Sequence, residues 1–136
     1  MALVVVVDYG MGNLRSVEKA LAHLGTSDVI KISGDPADIA IADKIVFPGQ
    51  GAMPDCMKEL ESRRLIDPIR LAAATKPFLG ICIGLQLLFE RSEEGDVPGL
   101  GLMLGQVRKF SPEKPDAAGV KFKVPHMGWN RVEICR

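Results

Sequence analysis

The stretch Phe78-Leu79-Gly80-Ile81-Cys82-Ile83-Gly84-Leu85-Gln86 constrains the fold more than any other part of the chain. Its first half is a short apolar run of the kind that forms a buried strand. Beyond Cys82 the spacing of Leu85, Leu88 and Phe89 turns helical, which predicts a helix over 83–91. Gly80 and Gly84 stand two positions to either side of the cysteine. The pattern is Gly-x-nucleophile-x-Gly, in which a strand bends abruptly into a helix and displays one side chain at the bend. Small neighbours are required because the backbone is tight there and packs closely on other elements. Amides at the start of the helix would favour the thiolate over the thiol. The competing reading is an inert apolar filler, the usual fate of a free cysteine. The paired glycines and the switch from strand to helix weigh against it, and Cys82 is read as a nucleophile.

The rest of the chain alternates in the same way. Residues 3–7 are a β-branched run suited to a strand covered on both faces. The loop of residues 8–13 follows, with Asn13 placed to cap a helix on which Leu14, Val17, Leu21 and Leu24 share a face. Gly25 ends that helix. Residues 29–32 read as a second strand, broken at Gly34-Asp35-Pro36, with a short helix over 38–43. A third strand over 44–47 leads into Pro48-Gly49-Gln50-Gly51, then helical pieces over 53–64 and 65–74, then the strand over 78–81. Strands alternating with helices imply parallel βαβ units, hence an α/β fold with a doubly wound, mostly parallel sheet. After Ser92 the texture changes. Residues 102–110 read as extended, and 120–124 with 131–134 as an antiparallel ribbon near the end. Four α/β strands and a ribbon make an incomplete sheet, so the expectation is a single domain, 1–136, that is C-terminally incomplete.

Composition narrows the possible functions. The chain has 136 residues, 17 basic and 17 acidic, so no charge excess offers a surface to nucleic acid or a membrane. No apolar run approaches a transmembrane length. The apolar start lacks a basic region and a cleavage site, and reads as a strand, not a signal peptide. Cys56, Cys82 and Cys135 are odd in number and widely spaced. That argues against a disulfide framework or a metal site, and for a reducing, cytoplasmic compartment. No cofactor is indicated. Gly10-Met11-Gly12 after the first strand is only a fragment of a dinucleotide fingerprint, since Arg15 and Ser16 occupy the place of the third glycine.

In parallel sheets, ligands bind beyond the carboxyl ends of the strands, where the 8–13, 48–51 and Cys82 loops fall. The Ile83 amide follows the nucleophile and is placed to donate to a developing oxyanion; Gly51 or its neighbour could supply a second donor. Pro-Gly-x-Gly alone is also an ordinary turn. A cysteine nucleophile needs a base, and the histidines are His23, on the first helix, and His126, in a late loop. His126 remains open as that base, and Trp129 remains open between core residue and partner anchor.

Four stretches together carry a resemblance: Asp8-Tyr9-Gly10-Met11-Gly12-Asn13-Leu14, Phe47-Pro48-Gly49-Gln50-Gly51-Ala52, the Gly80 to Leu88 elbow, and Pro125-His126-Met127-Gly128-Trp129-Asn130. In this order they resemble the glutamine amidotransferase subunits of imidazole glycerol phosphate synthase, within the wider class of triad amidotransferases with a flavodoxin-like fold. The resemblance implies that Cys82 hydrolyses glutamine through a thioester. Ile83 and the segment Gly49, Gln50 and Gly51 would hold the oxyanion, and Gln86 would bind the substrate. It also implies a cyclase subunit as partner in a heterodimer, with Asn13, Met127, Trp129 and Asn130 near that interface, and places His126 there and not at the base. Ammonia would pass to the cyclase, which makes imidazole glycerol phosphate and an aminoimidazole carboxamide ribotide. The family's His-x-Glu pair, in a Phe-His-Pro-Glu setting, has no counterpart in these residues. The expectation is therefore an incomplete glutaminase, or a binding module that docks the cyclase.

Overall fold

The computed structural model describes residues 1–111, 115, 119–120, 124–125, 128–129 and 131–135. Strand β1 (Leu3–Val7) lies inside a four-stranded parallel sheet. Helix α1 (Leu14–His23) returns the chain to β2 (Val29–Ser33) on one side of β1. Helix α2 (Pro36–Ile41) carries it back to β3 (Lys44–Gly49) on the other side, and α3 (Met53–Ser62) and α4 (Ile66–Thr75) lead to β4 (Phe78–Cys82). The order is β2-β1-β3-β4, so the winding direction reverses at β1 and opens a crevice past the carboxyl ends of β1 and β3. The doubly wound parallel sheet implied by the alternating elements is present.

Side chains alternate across a strand, and β1 divides its valines accordingly. Val4 and Val6 pack with Val46 beneath Leu14, Val17 and Leu21 of α1. Val5 and Val7 face the larger core, with Tyr9, Phe47, Cys56, Leu60 and Ile69. Local signals set several boundaries. Asn13 Oδ1 accepts from the Ser16 amide at 3.4 Å and begins α1. Asp35 accepts from the Ala37 amide at 2.8 Å. With Pro36 at the first helical position, it starts α2 earlier than the expected 38. Pro48 is tolerated inside β3 because β1 pairs with β3 only as far as Val46.

Three expectations need correction. The helix after the elbow does not run over 83–91: α5 is the single turn Ile83–Gln86, and Phe89–Ser92 forms strand β5. Pairing decides this. Strand β5 lies antiparallel to β6 (Val97–Pro98) and parallel to β7 (Met103–Val107), and that hydrogen bonding outweighs the helical spacing of its apolar residues. Among the described residues the antiparallel pairing sits at β5–β6, within a mixed sheet. Residues 131–135 carry no strand, and 121–123 lie outside the described residues. Finally, β4 is not buried on both faces. Phe78 joins the core, but Leu79 and Ile81 are 54% and 38% exposed, because β4 has β3 as its one neighbour among the described residues.

Candidate active site

Cys82 ends β4 and caps α5 with φ 55° and ψ −120°. A side chain at positive φ is strained, and such strain persists where surrounding packing imposes it. Here the packing is backbone against backbone. A Cβ on Gly84 would run into the Phe47 carbonyl. One on Gly80 would stand 2.7 Å from Leu85 Cα, and one on Gly49 would stand 2.8 Å from the Gly84 amide nitrogen. The elbow can approach β3 this closely only because these three residues are glycines. Gly49 is the Cα partner of Cys82 in the parallel β3–β4 pair, so the bend and the 48–51 loop are adjacent by register. Gly12 brings the β1 loop to the same place, its Cβ position 3.7 Å from the Gly49 nitrogen.

The three cysteines differ sharply. Cys56 is buried, and burial pushes its thiol up; its Sγ donates to the Gln50 carbonyl at 3.4 Å. Cys82 and Cys135 are exposed, and only Cys82 stands at the strand-to-helix bend. A cavity of about 610 Å³ opens beside it, lined by Asn13, Val17, Gln50, Leu79, Ile81 and Cys82 among others. Asn13 thus lines the same cavity as Cys82 while its side chain is engaged as the α1 cap. Gln86 lies elsewhere. With Ile83, Glu94, Arg108 and Lys109 it lines a second cavity of about 650 Å³, which Cys82 does not line. Gly51, at φ 91°, lies beside the Met11 side chain.

Around the second cavity the loop after β5 is tied down. Ser92 is buried, its hydroxyl accepts from the Glu94 amide at 3.1 Å, and Glu94 in turn accepts from the Met53 amide at 2.9 Å, which caps α3. Arg108 and the Lys109 amide hold Glu93, and the Lys109 bond, ahead of Arg108, keeps its carboxyl below the ordinary carboxylate value. Because α5 is one turn long, any help to the Cys82 thiolate comes from local amides and not from an extended helix dipole.

Of the other residues singled out in the sequence, Trp129 is fully exposed, which removes the core reading. His126, Met127 and Asn130 lie outside the described residues. His23 is exposed on α1, and no histidine lines the Cys82 cavity among the described residues. Nor, among them, does any group of three or more His, Cys, Asp or Glu side chains form a metal site, and no helix is long and apolar enough to cross a membrane. Sequence reasoning missed Tyr9 and Cys56, which meet behind the 49–51 segment. Both sat in apolar patterns that predict burial and nothing more.

A family model described as glutamine amidotransferase class-I matches residues 5–132. The chain is 57% identical to the imidazole glycerol phosphate synthase subunit HisH of Aromatoleum aromaticum, over 100% of this chain and 64% of that protein. It is 55% identical to the subunits of the same name from Dechloromonas aromatica (95% of this chain, 60% of that one) and Nitrosospira multiformis (97% and 63%). The chain therefore spans less than two thirds of the length of these relatives. Among solved structures, a putative peptidase E protein from Listeria monocytogenes EGD-e is similar in fold, with a TM-score of 0.60 at 14% identity over 75% of this chain and 63% of that one.

Proposed function

The chain belongs to the class I glutamine amidotransferase family, and from that premise we propose that it provides the nucleophile of a glutaminase subunit of imidazole glycerol phosphate synthase. The Cys82 sulfur attacks the side-chain carboxamide carbon of glutamine. Negative charge then gathers on the oxygen, where the Ile83 amide and an amide of the 49–51 segment receive it. Collapse expels ammonia and leaves a glutamyl thioester, which water hydrolyses to glutamate. The ammonia goes to a cyclase subunit, the partner in a heterodimer, for imidazole glycerol phosphate synthesis. The observation that carries this reading is a strained, exposed cysteine held beside Gly49 at the mouth of a cavity. High identity to HisH subunits supports the substrate and the partner.

Gln86 fits the substrate role only if glutamine reaches from the Cys82 bend toward the second cavity, which Ile83 links through its position between them. Turnover also needs a base, worth about a hundred- to ten-thousand-fold in rate. The resemblance assigns it to a His-x-Glu segment without a counterpart here, so these residues are given the nucleophile and oxyanion half of the reaction. Fully exposed Trp129 favours docking of the cyclase through that surface, together with Asn13, Met127 and Asn130. The test is glutamate release by the protein mixed with its cyclase. Cys82→Ala is expected to abolish it while leaving the two subunits able to co-purify; turnover that survives the substitution sinks the mechanism. Loss of co-purification in Trp129→Ala, with glutaminase chemistry absent from the unsubstituted protein, would favour the docking module alone.

A further inference from the structure

The second cavity holds charges that the chemistry at Cys82 does not use. Two acids, Glu93 and Glu94, and two cations, Arg108 and Lys109, line it. Both oxygens of Glu93 are engaged, Oε1 by Arg108 Nε at 3.3 Å and Oε2 by the Lys109 amide at 2.8 Å. Glu94 accepts from the Met53 amide through Oε2, at the start of α3, where the exposed amides of a helix favour negative charge. The cations are less committed. Among the described residues, the Nη groups of Arg108 and the ammonium of Lys109 have no partner. Strand β7 ends at Val107, so the alternation that sends successive side chains to opposite faces stops there, and residues 108 and 109 both line the one cavity. Two cations thus stand against the single carboxylate of Glu93, which leaves one positive charge over and several N–H donors unmatched.

Such a wall suits a monovalent anion, and the substrate carries one. Ile83, the residue after the nucleophile, lines the same cavity. A glutamine whose carboxamide lies at Ile83 has only two methylenes before its α-carbon, so its α-carboxylate stays within this cavity. A carboxylate drawn out of water needs charged donors to replace its hydration, and a guanidinium fork with a neighbouring ammonium supplies them. We propose, resting on the glutaminase reading above, that Arg108 and Lys109 bind the α-carboxylate of glutamine, and that Glu93 acts as a positioning residue by holding the Arg108 guanidinium. The pair then sets specificity. A simple amide without an α-carboxylate leaves the two cations unmatched, and asparagine, one methylene shorter, cannot reach them with its carboxamide still at Ile83.

The test uses the full-length protein with its cyclase and compares L-glutamine with 4-aminobutanamide, which keeps the carboxamide and the amine and lacks the α-carboxylate. Joint substitution Arg108→Gln and Lys109→Gln is expected to raise KM for glutamine about ten- to a hundredfold, as for the loss of charged hydrogen bonds, with kcat affected far less. With 4-aminobutanamide the change in kcat/KM is expected to stay within about twofold, because the group that the cations hold is missing. Lys109→Arg, which keeps the charge, should retain most of the affinity for glutamine. An unchanged KM for glutamine, or equal losses on the two substrates, overturns the assignment. A readout without turnover is protection of Cys82 from iodoacetamide by L-glutamine, for which the doubly substituted protein should need about ten- to a hundredfold more glutamine. If the unsubstituted protein shows no glutaminase turnover, the glutaminase reading fails instead, and protection still decides the role of the pair: protection that is absent from the unsubstituted protein, or undiminished by the double substitution, overturns it.

Discussion

At Cys82 conformation and chemistry oppose each other. The backbone there has φ 55° and ψ −120°, a region that costs an L side chain on the order of 1–3 kcal/mol. The side chain is exposed, so its loss removes little packing. Cys82→Gly is accordingly expected to be more stable than Cys82→Ala by about 1 kcal/mol, the reverse of the usual order at a helix boundary without such strain. Thermal denaturation of the two variants measures it, and an alanine variant that melts higher would mean that the bend is relaxed. Neither variant should hydrolyse glutamine. The flanking glycines act differently: they are required by space and not by φ, since the Gly84 Cα packs on the Phe47 carbonyl.

Elements are held by caps that come from afar as often as from nearby. Lys76, just past α4, sends its Nζ to the carbonyls of Ile39, Ala40 and Ala42 at 3.0, 2.5 and 2.7 Å. One ammonium thereby satisfies the end of α2 and opposes the negative pole of that helix. Lys76→Met keeps the aliphatic stem and removes the charge, and should cost about 1–2 kcal/mol. Urea denaturation would read the loss, and an unchanged midpoint would show that water replaces the ammonium freely. Helix α5 and strand β5 illustrate the same dependence. Leu85, Leu88 and Phe89 have helical spacing, yet β6 and β7 capture residues from Phe89 onward and stop the helix after one turn.

For the molecule as a whole, the open side of β4 is the prominent feature. The strand that ends in Cys82 is an edge strand among the described residues, and it presents Leu79 and Ile81 to solvent. An unpaired edge with apolar side chains is a template for pairing with another chain. The 136-residue chain on its own is expected to self-associate at micromolar concentration, and Leu79→Lys to shift it toward monomer. Light scattering that finds the unsubstituted chain monomeric and monodisperse would contradict this.

Much of the architecture was legible from residue patterns alone. The β-branched run of β1, the helical face of α1, and the Gly80-x-Cys82-x-Gly84 bend each rest on neighbours within a few positions, and backbone geometry translates such spacing directly into strand, helix or turn. The proximity of Gly49 to Cys82 followed as well, since parallel βαβ units bring successive carboxyl ends to one edge. The sequence could not locate the second sheet, the exposure of β4, the separation of Gln86 from the Cys82 cavity, or the meeting of Tyr9 and Cys56 behind Gly49. Those depend on contacts between residues dozens of positions apart, and apolar spacing says that a side chain will be buried without saying against what. Sequence therefore determined which residue is displayed at the bend. Tertiary packing alone decided which groups stand behind the segment that faces it, because only the folded chain closes the distance between them.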